Sequence, residues 1–243
     1  ELSRLDKKEA DHAHALTEAV RGKIVALAGG KQLGTTLPGK KKGEVLAEAE
    51  AFPPAAVATE SWPPNVAKAT RLLHPHGVVV VADPDEPPLP FADEAFDLVT
   101  SRHPATIWWQ EIARVLRPGG TYFAQHVGPG SAFELIEFFL GPQPQARRGR
   151  HPDDETAAAV AAGLQIVNLQ TAKLRIEIHD VAAAVYLLRK VIWWVPGFTV
   201  EKYRDRLRDL HDLIGQDGPF IAHSTRHLIE ARLRRGCGLV GIG

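Results

Sequence analysis

The chain has 243 residues, 44% of them hydrophobic and 24% charged, which suits one sizeable α/β domain and is short for two. Lys plus Arg equals Asp plus Glu at 29 each, so no net field draws the chain toward nucleic acid or a membrane surface. A single cysteine, Cys237, excludes an internal disulfide framework or a cysteine-based zinc site, and no apolar run approaches the roughly 20 residues of a membrane helix.

The first stretch, residues 1–20, has helix-forming composition and predicts an N-terminal helical cap over 1–22 with no signal-peptide core, hence a cytoplasmic protein. KIVALA, residues 23–28, is a short strand or the end of a helix, closed by Gly29 and Gly30. Residues 44–51 predict a helix opened by Gly43 and Glu44, and AAVATE a strand ending at the acidic Glu60. Trp62 follows, and Pro63-Pro64 starts a helix through residue 73.

Residues 78–81 are four consecutive valines that run out at Asp83, and the apolar run 96–100 ends at Arg102 and His103. Short all-apolar runs of this kind fit parallel strands covered on both faces. Apolar residues then recur at helical spacing over 107–116, and Pro118-Gly119-Gly120 stops that helix before a strand over 121–124. An amphipathic helix over 131–140 leads into GPQPQARRGRHPDD, a polar, breaker-rich segment read as a mobile loop made basic by Arg147, Arg148 and Arg150. Beyond it come a helix over 154–162, a strand over 164–178 broken near Gln170, and a helix over 181–192. Trp193, Trp194 and Phe198 follow, then a charged helix to residue 214 with Thr199 as N-cap, and a last strand over 220–234.

ADPDEPPLPFADEAFDLVTSRH and EIARVLRPGGTYFAQHV together resemble the middle of a class I, Rossmann-like S-adenosylmethionine-dependent methyltransferase. In that family an acid, an "LPF" turn, an "FDLV" strand and a "RVLRPGG" turn come in this order. The resemblance implies a single doubly wound α/β domain over 1–243. Its sheet has seven mostly parallel strands with helices on both faces, and a helical insert at 179–217 precedes the antiparallel last strand.

It further implies S-adenosylmethionine as cofactor, with Glu60 on the ribose hydroxyls, Asp83 and Pro84 beside the adenine, Trp62 against the adenosine, and Arg102 also at the cofactor. The family's glycine-rich turn after the first strand maps to Gly39–Gly43, with Leu37 and Pro38 where the strand end and its acid are expected. Only Gly39 and Gly43 match; Lys40, Lys41 and Lys42 fill the middle, where side chains obstruct close approach and add charge beside a sulfonium.

His103 lies where the family faces its substrate, and an imidazole there can take a proton from a nucleophile. Gln125 and His126 are second candidates on the same rim. The eleven histidines are scattered: His74/His76 and His223/His227 have no carboxylate or cysteine at recognisable zinc spacing, so no metal site is expected, and no G-x-S-x-G elbow supports hydrolysis.

The expected function is methyl transfer to a small, partly apolar molecule, with neutral charge and the tryptophan-bearing insert arguing against nucleic acid and no membrane partner. Oligomeric state is left open. Two other classes stay open: a methyltransferase-fold binding protein whose lysine-filled turn impairs cofactor binding, and a nucleic-acid methyltransferase using its lysines and arginines on phosphates.

Overall fold

The computed structural model describes residues 23–28 and 52–235. Outside them lie the expected helical cap, the Gly39–Gly43 turn with its three lysines, the helix over 44–51, and Cys237. In chain order the strands are β1 (Lys23–Ala28), β2 (Ala55–Glu60), β3 (Val78–Ala82), β4 (Phe96–Arg102), β5 (Leu116–Val127), β6 (Leu164–Ile178) and β7 (Phe220–Leu233). The helices are α1 (Pro63–Leu73), α2 (Trp109–Val115), α3 (Phe133–Leu140), α4 (Pro144–Arg148), α5 (Pro152–Ala161), α6 (Val181–Lys190) and α7 (Arg204–Asp217).

One seven-stranded sheet runs in the order β3-β2-β1-β4-β5-β7-β6. β3, β2, β1, β4 and β5 pair in parallel, whereas β7 is antiparallel to both β5 and β6, so the sheet is mixed. Ala28 pairs with Glu60, Glu60 with Ala82, and Leu27 with Ser101, so these four strands end nearly level along one edge. β2 and β4 flank β1 on opposite sides, and at such a reversal of strand order the loops diverge and leave a crevice.

β1 corrects one expectation. Counting back from Gly43 puts the strand end and its acid at Leu37 and Pro38, but the strand that fills the gap between β2 and β4 is KIVALA, which ends at Ala28.

The largest core cluster joins Val99, Leu116, Tyr122, Ile229 and Ala231 of the sheet to Trp109, Ile112 and Val115 of α2 and Ala159 of α5. Trp109 meets the Tyr122 ring edge-on at 5.4 Å, a favoured geometry for two rings of opposite edge and face polarity. A second cluster unites α3, α6, α7 and the far end of β6 through Leu135, Phe139, Ala184, Leu188, Leu207 and Leu210, with Trp194 and Phe198 packed against it. The insert between β6 and β7 is therefore a small core of its own, and these two aromatic residues belong to it. Thr199 caps a turn, accepting from the Lys202 amide, and α7 begins only at Arg204.

Three further boundaries move. Pro118-Gly119-Gly120 lies within β5, which starts at Leu116; Gly119 adopts φ +85, and a Cβ on Gly120 would sit 2.9 Å from the Arg117 carbonyl oxygen, so both positions require glycine. β6 is continuous past Gln170, its irregularity being a register shift between Ile166 and Asn168. The breaker-rich segment after α3 holds the short helix α4, with Arg147 ion-paired to Glu137 and Arg150 donating to the carbonyls of Pro104 (2.7 Å) and Ala105 (2.6 Å).

The acid and arginine of the EIAR sequence explain how the long loop after β3 is held. The Arg114 guanidinium forks onto Glu111 (Nε to Oε1 2.9 Å, Nη2 to Oε2 2.7 Å) and also donates to the carbonyls of Phe91 (2.7 Å) and Leu89 (3.0 Å) and to Asp93 Oδ1 (2.8 Å). Glu111 Oε2 in turn accepts the Leu89 amide at 2.6 Å. Arg114 is an anchor for the LPF turn, and its removal strands a carboxylate and two carbonyls. Arg114→Ala is expected to lower unfolding free energy by about 2–3 kcal/mol in urea denaturation, the scale of losing charge-assisted hydrogen bonds. Arg114→Lys should recover less than half, because an ammonium cannot reproduce the planar fork.

Candidate active site

Glu60 and Asp83 end neighbouring strands and are both buried, at 4% and 7% exposure. Their proximity is built by the main chain, since the Asp83 amide donates to the Glu60 carbonyl at 3.1 Å. Glu60 Oε1 accepts the Trp62 amide at 3.0 Å, and a carboxylate with about four lone-pair sites retains capacity for a diol. Ser61 Oγ, next in the chain, is buried with no hydrogen-bond partner among the described residues. Trp62 is exposed at 39% and Pro84 is exposed as well, so both present apolar surface beside the two acids.

A third acid that the sequence does not single out joins them. Asp85 takes a left-handed backbone, φ 61, which an aspartate tolerates, and its carbonyl accepts the Trp108 indole N–H at 3.1 Å. Burial pushes its carboxyl up to about 6, with the neighbouring Asp83 charge acting in the same direction. Burial likewise raises Asp83, against a backbone hydrogen bond from Asp85 that lowers it. Three carboxyl groups crowded at one edge form a negative corner suited to a cationic ligand.

Beside this corner a pocket is lined by Thr59, Asp85, Leu89, Ser101, Trp108 and Tyr122, with Pro104, Thr106, Ile107 and Ile112 completing the wall. Its lining is mostly apolar, and its volume of about 20 Å³ is that of a water and not of a substrate.

His103 sits just past β4 with φ 51, held by its amide to the Gln125 carbonyl (2.7 Å) and by Nε2 to Gln125 Oε1 (2.6 Å). With Nε2 donating to Oε1, Nδ1 keeps its lone pair. Burial, then the positive charges of Arg226 and Arg102, hold the ring well below the usual histidine range, so it is neutral at pH 7. Arg150 clamps the next two carbonyls, so the basic segment after α3 is fastened to the His103 loop. Arg102 is exposed.

Of the two second candidates, Gln125 holds His103, but His126 is not on the rim. It is fully buried, with Nε2 3.0 Å from Tyr122 Oη and Nδ1 2.6 Å from Glu155 Oε2, the same oxygen that lies 2.6 Å from His227 Nε2. His223 also has a carboxylate, Glu134 Oε1, at 2.9 Å. His126, His227 and His223 thus all have acidic partners, and sequence spacing missed them because they lie 29, 72 and 89 residues away respectively.

Residues 39–124 match a family described as methyltransferase domain. Among solved structures, a candidate methyltransferase of Bacillus halodurans C-125 shares 17% identity with a TM-score of 0.64, covering 93% of this chain and 99% of that one. A geranyl diphosphate methyltransferase in complex with SAM shares 14% identity with a TM-score of 0.53, covering 96% and 87%. At these identities the likeness is one of fold.

Among curated proteins, a segment of 51 residues is 61% identical to the DNA-directed RNA polymerase subunit beta of Nitratidesulfovibrio vulgaris (strain DSM 19637 / Miyazaki F). That match takes in 21% of this chain and spans only 4% of that relative's length. Residues 39–124 thus resemble a methyltransferase domain, and the strand order that continues them belongs to a fold shared with the solved methyltransferases.

Proposed function

We propose that the crevice outside β2, β3 and β4 binds S-adenosylmethionine and that the chain transfers its methyl group to a small, partly apolar acceptor. The observation that carries this reading is the pair of buried carboxylates, Glu60 and Asp83, level at the ends of adjacent parallel strands beside the point where strand order reverses. The reading rests on this edge of the sheet and not on the 51-residue polymerase likeness.

The residues fit the cofactor chemically. Glu60 accepts from both ribose hydroxyls, Asp83 accepts from the adenine amine, and Trp62 and Pro84 supply apolar cover. The partly unsatisfied lining beside Glu60, the buried Ser61 hydroxyl, has room for one more hydrogen bond. When bound, the cofactor supplies an activated methyl carbon on a sulfonium leaving group. The negative corner of Glu60, Asp83 and Asp85 favours that cation, and the LPF turn pinned by Arg114 keeps the corner in place.

His103 Nδ1 receives the proton of the attacking oxygen or nitrogen, with Gln125 fixing the ring and Arg150 fixing the loop. Much of the acceleration in such a displacement comes from alignment, so a rigid His103 loop matters as much as its basicity. A small acceptor is supported by a neighbour of the same fold whose name gives geranyl diphosphate as substrate. The arginines of the basic segment are drawn into internal contacts at Arg147 and Arg150, which weighs against their use on nucleic-acid phosphates.

Glu60→Ala is expected to weaken binding of S-adenosylhomocysteine more than tenfold, about 1.4 kcal/mol, in isothermal calorimetry, with an unchanged circular dichroism spectrum. Unaltered affinity would remove Glu60 from the site. For His103, ring resonances followed by NMR should show a neutral imidazole as pH falls from 8 through 6.5. Because its folded pKa is depressed, its contribution to stability is present above the unfolded value near 6.5 and is lost as pH falls toward the folded pKa. A midpoint at or above 6.5 would contradict the role as a resting base.

A further inference from the structure

His126 of β5, Glu155 of α5 and His227 of β7 meet in the interior at 0%, 9% and 1% exposure. One ligand atom from each lies within 4.8 Å of the other two, and both imidazole nitrogens, His126 Nδ1 and His227 Nε2, converge at 2.6 Å on a single carboxylate oxygen. We propose that these three side chains form a binding site for a divalent ion of borderline softness, zinc in class, that ties α5 to the centre of the sheet.

Two neutral-imidazole nitrogens and a carboxylate are a donor set that zinc accepts at about 2.0–2.2 Å, commonly with water as a fourth ligand. Ligand atoms around a tetrahedral ion at those distances stand roughly 3.3 Å apart. The carboxylate therefore has to retreat from each nitrogen by under about 1 Å, a rotation of one glutamate side chain.

Charge accounting points the same way. A carboxylate buried among apolar residues needs a positive partner. An ion between the three groups supplies that charge; with the ion on Nε2, His227 keeps its proton on Nδ1, which has no hydrogen-bond partner among the described residues.

The remaining nitrogen of His126 already has the outer partner that metal-bound histidines usually have: Nε2 lies 3.0 Å from Tyr122 Oη. This links the site to the pocket, because Tyr122 is part of the pocket wall. With an ion on Nδ1, the ring proton sits on Nε2 and is donated to the phenol oxygen, so the phenol hydrogen is free to turn toward the pocket. Without the ion, Nδ1 carries the proton toward Glu155 and the phenol donates to Nε2. Metal loading thus sets whether Tyr122 offers a donor to whatever the pocket holds.

The test uses the full chain. Protein purified without a metal-affinity tag is assayed for bound metal by elemental analysis, then stripped with chelator and titrated with Co²⁺, whose visible absorption reports coordination number and nitrogen ligands. The expected result is about one ion per chain, a four-coordinate cobalt spectrum, and a rise in the thermal midpoint on adding Zn²⁺. His227→Gln and Glu155→Gln should each weaken binding at least tenfold. Should the stripped chain unfold and Zn²⁺ restore it, the site is supported equally. A stripped chain that stays folded and takes up neither ion at tens of micromolar overturns the proposal, as does uptake that survives both substitutions.

Discussion

Everything at the edge of the sheet depends on one guanidinium. The loop that follows β3 carries Asp83 and Asp85 and contains four prolines before β4, with no regular structure to hold it. Arg114 reaches from α2 to two carbonyls and an aspartate of this loop while Glu111 takes its Leu89 amide, so a helix one strand away in sequence fixes the loop at both backbone donors and acceptors. The pair is partly exposed, with side chains at 26% and 14%, yet each partner is engaged by several groups at once, which sets it apart from an ordinary surface ion pair. Glu111 is held ionised, its carboxyl lowered first by the hydrogen bond from Arg114. The clamp holds the loop that carries the crevice acids through several charge-assisted hydrogen bonds at once.

The same physics explains what could be read in advance. Valine-rich and FDLV-type runs are legible because a strand buried on both faces leaves no room for polar residues, and the acids at their ends stand out against that background. Glu60 and Asp83 are found this way, and the EIAR and PGG sequences point to α2 and β5. What is not legible is whatever depends on contacts distant in sequence. Glu155 sits in an alanine-rich helix with no outward sign that two histidines from separate strands enclose it, and Arg150 looks like a solvated loop charge until its partners, two carbonyls behind His103, are seen. The place of the first strand's end is hidden for a different reason: counting from a glycine motif places the strand by its turn, while the sheet places it by the gap between β2 and β4, which KIVALA fills.

The two chemical centres differ in kind. The crevice is built from main-chain geometry, strand ends kept level by register, and leaves Trp62 and Pro84 exposed beside it. The His126, Glu155 and His227 group is built from side chains alone, each on a different element, and is buried. Tyr122 is the one residue shared by the pocket wall and the buried group, so it is the physical route by which one can influence the other.

The reversed strand has a consequence for how the chain is made. β5 carries the most continuous run of buried residues in the sheet, from Gly120 through His126, yet its edge at Thr121–Val127 is completed by residues 226–232 of β7, about a hundred residues later in the chain. At the usual pace of synthesis that is on the order of ten seconds during which an apolar strand edge stands open. Until β7 arrives, the nascent chain presents a surface that pairs readily with any other extended strand, and the aggregation risk during translation lies there.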